Sequence, residues 1–258
     1  MDEIAIRECA TIEELDQCVR LQREVFELPD LEISPRRHLV VSRQTGGWTL
    51  GAFVQGAHQR LVGFVHHLVA IRGADEIVGY SHMMAVAKDY QNRGVGARLK
   101  WAQRERALAE GRNFIKWTWD PMQGRNAHFN LNRLGVTVRS YTENLYGTDY
   151  VNDPAQRIYG VIGIDSDRLF AGWDLRSPRV LQLADGANPH PSAAAIRAIE
   201  IPARWTELLK HDADAAKQEQ LRVRNEFKEA FAAGLVCSGF ERGLEHPRYL
   251  LYDAQQSE

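Results

Sequence analysis

The stretch Gln91-Asn92-Arg93-Gly94-Val95-Gly96 constrains this chain more than any other, because an apolar strand precedes it and a long basic helix follows. The strand reads Met83-Met84-Ala85-Val86, Lys88-Asp89-Tyr90 makes the turn, and the helix is expected from about Arg93 to Glu110. Two glycines at a helix mouth let the backbone approach a ligand closely, and one can take positive φ without steric cost. The first amides of the helix lack intrahelical partners and sit at the positive end of its dipole. Strand, glycine turn and helix in this order make an anion site suited to a pyrophosphate. The spacing is not the dinucleotide fingerprint, and the Gly-Lys-Ser/Thr ending of a P-loop is missing.

Around this unit, strand-like and helix-like segments alternate without internal repeats. Ile4 to Arg7 reads as a strand. Thr11 and Glu14 form a capping box that opens a helix with an apolar stripe of Ile12, Leu15, Val19 and Phe26. Pro29 to Pro35 is a break, and Arg36 to Ser42 is ambiguous. Trp48 to Val54, Leu61 to Ile71 and Val78 to Val86 follow as strands. After the basic helix, Phe114 to Trp119 is a strand ended by Asp120-Pro121. A helix from about Arg125 to Leu134 stops at Gly135 and leads into the strand Val136 to Tyr141. Tyr159 to Ile164 suits a short strand, Arg168 to Leu175 a longer one, and Asp185 to Ser192 a linker. The tail adds a strand at Ile196 to Ile201 and a short helix after Pro202. A longer helix lined by Leu221, Val223, Phe227 and Phe231 stops at Gly234, and Leu235 to Phe240 with Tyr249 to Tyr252 forms a hairpin.

At 258 residues the chain can bury a large core, and its 44% hydrophobic and 26% charged content is that of a soluble globular protein. A net charge of −2 speaks against a nucleic-acid partner. Cys9, Cys18 and Cys237 are odd in number and lack metal spacing, so they read as free thiols of the cytoplasm, and no metal is expected. The acidic opening Met1-Asp2-Glu3 is no secretory signal, and the longest apolar run is too short to span a bilayer, so no membrane partner is expected.

Taken as Gln-x-x-Gly-x-Gly after a strand ending in Ala-Val, the loop resembles the acyl-CoA-binding motif of the GNAT N-acyltransferase superfamily. Asn126, Ala127 and Leu134-Gly135 fall where that family has its second block. Trp117-Thr118-Trp119-Asp120-Pro121, Asn126-Ala127-His128-Phe129-Asn130 and Asp167-Arg168-Leu169 with Trp173-Asp174-Leu175 are similar to a branch of acetyltransferases within it. The resemblance covers roughly residues 4 to 180. It implies an α/β fold of the α+β type: a mixed, mostly antiparallel central sheet flanked by helices. An acyltransferase core would occupy residues 1–180, and a C-terminal α/β extension packed on it residues 181–258.

The same resemblance implies acetyl-CoA as co-substrate and direct acyl transfer to a small amine or amino-acid-like acceptor; a homodimer is compatible with it. Met84, Ala85 and Val86 would line the pantetheine and acyl group. Gln91, Asn92, Arg93, Gly94, Val95, Gly96 and Ala97 would hold the pyrophosphate, with Arg93, Arg98 and Lys100 adding charge. Asn126 would bond the pantetheine amides, since an amide both donates and accepts. Transfer to an amine also needs a base, and His82, two residues before Met84, is the first candidate, because neutral imidazole accepts a proton near pH 7. A core histidine is the competing reading of His82. His66 and His67 are neighbours on a strand and face opposite ways, so they form no metal pair. Many family members carry a tyrosine acid at the position of Leu131 here, and Tyr141 is the first substitute. Trp117 and Trp119 share a strand face and read as core packing, with an aromatic wall for the acyl chain or acceptor as the competing reading. The competing functions are a non-catalytic acyl-CoA sensor and a protein-modifying acetyltransferase.

Overall fold

The computed structural model describes residues 3–26, 30–56, 59–148, 164–187, 189 and 193–254. The fold is mixed α/β, with mostly antiparallel strands flanked by helices. By packing, the chain divides into two compact units, Met1–Lys116 and Trp117–Glu258.

In the first unit, β1 (Ile4–Glu8), β2 (Trp48–Val54), β3 (Arg60–Arg72) and β4 (Glu76–Val86) form an antiparallel sheet in chain order. The first residues of β5 (Phe114–Trp119) join β4 in parallel. Helix α1 (Ile12–Phe26) opens on the expected capping box: Thr11 Oγ1 accepts from the Glu14 amide at 3.2 Å, and Glu14 accepts from the amides of Ala10 and Thr11. Its buried face is Leu15, Cys18, Leu21 and Gln22, while Ile12 is exposed. The stripe is thus rotated from the expected one, because Cys18 and Gln22 are as buried as any aliphatic residue. The segment 36–44 resolves as helix α2 (Arg36–Gln44), begun directly after Pro35. Trp48, Phe53, Phe64, Leu15, Leu39 and Leu99 are fully buried. Each stabilises the fold by roughly 1.5–3 kcal/mol relative to exposure.

Helix α3 (Val95–Ala109) follows the glycine loop, and it is not simply basic and solvated. Lys100 is buried and donates to Ser81 Oγ at 3.0 Å and Gln103 Oε1 at 2.8 Å. Gln103 lies 3.2 Å from His67 Nδ1, and the His67 ring stacks on Trp48 at 4.1 Å. Gly79 makes room for that ring, since a Cβ there would fall 2.3 Å from His67 Cε1.

In the second unit the strand order runs β5, β7 (Arg168–Asp174), β6 (Thr137–Thr142), β9 (Leu235–Glu241), β10 (Arg248–Asp253) and β8 (Arg197–Glu200). Helix α4 (Gly124–His128) continues into a π-helical turn at Phe129–Arg133. Short helices α5 (Pro178–Ala184) and α6 (Trp205–His211) precede the long α7 (Ala213–Ala232), which ends before Gly234. Val223 and Phe227 of α7 are buried, but Leu221 is exposed and lies off the packed face. Trp117 and Trp119 are buried, the first edge-on to Trp173 and the second donating its indole N–H to the Tyr249 hydroxyl, 3.3 Å away. The expected strand at Tyr159 to Ile164 lies almost wholly outside the described residues, as does part of the expected linker at 185–192.

Candidate active site

Chain direction reverses at the end of β4, and the turn is tightly tied. The Ala87 amide donates to the Val62 carbonyl at 2.9 Å, and the Gln91 side-chain amide donates to the Val86 carbonyl at 2.9 Å. Asn92 stands at φ 60° and Gly94 at φ 79°, so the loop makes two left-handed residues before α3 begins. Gly94 caps the helix without a side chain. The Arg98 amide closes the first helical turn on the Gly94 carbonyl at 3.0 Å, leaving the amides of Val95, Gly96 and Ala97 with no intrahelical acceptor. A Cβ on Gly96 would stand 3.5 Å from Met84 Cε and 3.8 Å from Val86 Cγ2, so the helix mouth adjoins the end of β4.

On its other edge, β4 is only briefly paired. Its contact with β5 is confined to Gly79–Ile115 and Tyr80–Lys116, so Ser81 to Val86 have no strand partner on that side among the described residues. A backbone edge left open beside a helix mouth suits a pantetheine chain, whose amides pair as a short strand does. The Lys100 ammonium takes no part in this, being buried under the sheet with its pKa well below the ordinary lysine value through desolvation. Arg98 donates to the Ile4 carbonyl at 2.7 Å, and Arg93 lies over the Tyr90 ring at 5.3 Å. Of the three bases, Arg93 alone belongs to the loop itself.

His82 occupies a special place on β4. The register passes from His66–Met83 to His67–Ser81, so His82 is the extra residue of a β-bulge. A bulge bends its strand and re-aims a side chain. The ring of His82 meets His38 of α2 at 5.2 Å and His66 of β3 at 6.0 Å, and those two lie 5.4 Å apart. Its Nε2 is 3.3 Å from Ser34 Oγ. His82 is exposed on its outer side, while desolvation of the packed side and the neighbouring His38 lower its pKa from 6.5 to about 4. Water on the outer side opposes that desolvation, and the imidazole is neutral at pH 7 either way. His66 and His67 are fully buried, pushed down to about 3 by desolvation first and by neighbouring bases second. They serve opposite faces, as their adjacency implies: His66 Nδ1 contacts Thr49 Oγ1 at 2.8 Å, and His67 joins the Trp48 stack. Among the described residues, no group of three or more His, Cys, Asp or Glu is placed to hold a metal ion.

Tyr141 and Asn126 belong to the second unit. The Tyr141 hydroxyl donates to Asp167 Oδ2 at 2.6 Å, and desolvation and that carboxylate raise its pKa. Asp167 is buried and bridged by Arg224 through two bonds of 2.9 Å, and Arg224 also reaches Asp165 and Glu143. Asn126 is exposed on α4, and Leu131 is fully buried. Sequence reasoning did not single out Ser34 or His38. Neither sits in a motif, and they reach His82 through tertiary contacts, Ser34 from the segment before α2 and His38 from α2 itself.

Residues 12–135 match the model of the acetyltransferase (GNAT) family. No curated protein matches the chain. Among solved structures, a GNAT-family acetyltransferase from Streptococcus pneumoniae is 20% identical with a TM-score of 0.50, over 66% of this chain and 98% of that one. The NatC complex bound to Gag peptide and CoA gives a TM-score of 0.52 at 14% identity, over 67% and 99%. The ribosomal-protein-S18-alanine N-acetyltransferase from Escherichia coli gives 0.50 at 13% identity, over 66% and 92%. At these identities the likeness is one of fold.

Proposed function

We propose, from the match of residues 12–135 to the GNAT acetyltransferase family, that the chain is an acetyltransferase of this kind and moves an acetyl group from acetyl-CoA to a small amine or amino-acid-like acceptor. The observation that carries this reading is the bulge that sets His82 on the open edge of β4, two residues before Met84. Acetyl-CoA supplies the activated thioester. The amides of Val95, Gly96 and Ala97, with Gln91 to Gly94, hold its pyrophosphate at the positive end of α3. Backbone amides of Met84 to Val86 polarise the carbonyl, the oxyanion-type stabilisation that acyl transfer needs. His82, neutral at pH 7, removes the proton that makes the acceptor an unreactive ammonium. No helix among the described residues is long and apolar enough to cross a membrane. We place the protein in the cytoplasm because Cys9, Cys18 and Cys237 are free thiols, the first two unbridged at 3.8 Å.

The family's tyrosine position is Leu131 here, and the hydroxyl of Tyr141 is committed to Asp167. We therefore assign Tyr141 to the Arg224 network and let solvent protonate the departing thiolate, a low-pKa leaving group that needs no dedicated acid. Asn126 is proposed as the side chain that bonds the pantetheine.

A mass-spectrometric screen tests the reading, pairing acetyl-CoA and longer acyl-CoAs with small amines, amino acids and peptides. Acceptor-dependent CoA release with a small amine is the expected result. Acylation of peptides alone would replace the acceptor class. Stoichiometric acyl-CoA binding without turnover across the whole panel would make the protein a sensor.

A further inference from the structure

Ser34 lies in the segment between α1 and α2, and it is held from both sides by one residue. Its backbone amide donates to Gln22 Oε1 at 3.0 Å, and its carbonyl accepts from Gln22 Nε2 at 3.2 Å. Gln22 is 2% exposed on the inner face of α1, so the clamp is anchored in the core. Using both ends of a buried side-chain amide on one backbone residue satisfies groups that would each cost about 1–3 kcal/mol if left unpaired. It also leaves the Ser34 side chain a narrow range of positions, and from there Oγ meets His82 Nε2. The same ring meets His38 edge-on at 5.2 Å and 60°. His38 in turn packs edge-on against His66, whose Nδ1 is held by Thr49 of β2. The titratable groups facing His82 are His38 from α2 and His66 from β3, and the Nε2 atoms of both are buried without a hydrogen-bond partner among the described residues.

We infer that Ser34, set by Gln22, and His38 are positioning residues that hold His82 in one ring orientation and one tautomer. This deepens the reading of His82 as the base and rests on it. In the arrangement assigned, Nε2–H donates to Ser34 Oγ and Nδ1 carries the lone pair. The acceptor ammonium gives one proton to Nδ1, forming an imidazolium, and that proton then leaves to water on the exposed side. A histidine on a bulged strand edge, open to solvent, would otherwise rotate between two faces. Ser34 removes one of them. General-base catalysis depends on a near-attack geometry, so a ring that samples two orientations loses rate without losing substrate affinity.

The experiment is nitrogen-15 NMR of the histidine rings in the full chain, where the shifts of Nδ1 and Nε2 report the tautomer directly. In the wild type, His82 is expected as a single Nε2–H tautomer. Ser34→Ala should give a mixture of tautomers, Ser34→Thr should restore the single form, and Gln22→Leu should reproduce the mixture with the hydroxyl still present. His38→Phe, which keeps an aromatic edge, should leave the tautomer intact and move the His82 titration upward. With acetyl-CoA and the amine panel, Ser34→Ala should lower kcat about tenfold with the KM for acetyl-CoA unchanged. A single Nε2–H tautomer in Ser34→Ala, with wild-type kcat, would overturn the inference while leaving His82 as the base. Normal turnover in His82→Ala would instead remove the catalytic reading, and the tautomer spectra would still decide whether Ser34 orients the ring.

Discussion

Replacing the two glycines of the loop should separate fold stability from donor binding. Gly94 sits at φ 79° and nothing lies within 4 Å of the position its Cβ would take, so Gly94→Ala meets a conformational cost alone. That cost is roughly 1–2 kcal/mol for a non-glycine residue in the left-handed region. For a chain of this size it lowers Tm by about 2–8 °C. Gly96 has ordinary helical backbone, and its Cβ would make normal contacts with Met84 and Val86. Gly96→Val therefore leaves Tm within a few degrees of wild type. The added methyls instead enter the space between the helix mouth and the open edge of β4, where the pyrophosphate approaches the amides of Val95 to Ala97. Losing one or two charge-assisted bonds at about 1.5–3 kcal/mol each weakens CoA binding at least tenfold. Calorimetric titration with CoA, paired with thermal melts, reads both quantities on the same samples. A Gly96→Val protein with wild-type Tm and wild-type CoA affinity would refute the placement of the donor on this loop.

Three more outcomes are expected. His82→Ala should lower turnover by roughly 10²- to 10⁴-fold with little change in CoA affinity, because the loop is untouched; in the wild type, the acid limb of kcat/KM should lie below pH 6.5, and a limb above it would contradict the lowered pKa of His82. Tyr141→Phe removes the 2.6 Å bond to Asp167, so it should cost about 1–2 kcal/mol in stability and leave turnover intact, and a large loss of kcat in a well-folded variant would restore Tyr141 as the acid. His66 and His67 are neutral in the fold down to about pH 3, whereas the unfolded chain takes up their protons below about 6.5. Between those values the unfolded state binds more protons, so stability falls as pH falls, by up to about 1.4 kcal/mol per pH unit for each histidine. A Tm that stays flat from pH 7 to pH 4 in differential scanning calorimetry would contradict that burial.

Much of this was legible in the sequence, and the losses have physical causes. The loop and its helix announced themselves through glycine spacing and periodicity, and Thr11 with Glu14 marked a helix start that the backbone obeys. The buried face of α1 was misplaced because Gln22 counts as polar, while its burial is made tolerable by a backbone partner on Ser34. Lys100 was expected to add charge near the pyrophosphate for the same kind of reason: nothing local announces that Ser81 and Gln103 wait for its side chain in the interior. His82 was marked by its distance from the loop, but the bulge that turns it outward is a property of strand register and has no signature in one strand alone. Ser34 and His38 come to His82 through tertiary packing, so no spacing rule reaches them.

Arg224 has a consequence for cutting the chain shorter. It lies on α7, and its guanidinium is the counterion of the buried Asp167 that opens β7. Ending the polypeptide after residue 180 would strand that carboxylate in the interior without its counterion, with the Tyr141 hydroxyl and the Asn144 amide to answer it, and would strip β6 of its neighbour β9. Breaking a buried ion pair by removing one partner costs about 3–5 kcal/mol, a large share of the margin by which a domain stays folded. The last eighty or so residues are therefore no detachable appendix, and a fragment ended after residue 180 should be far less stable than the full chain.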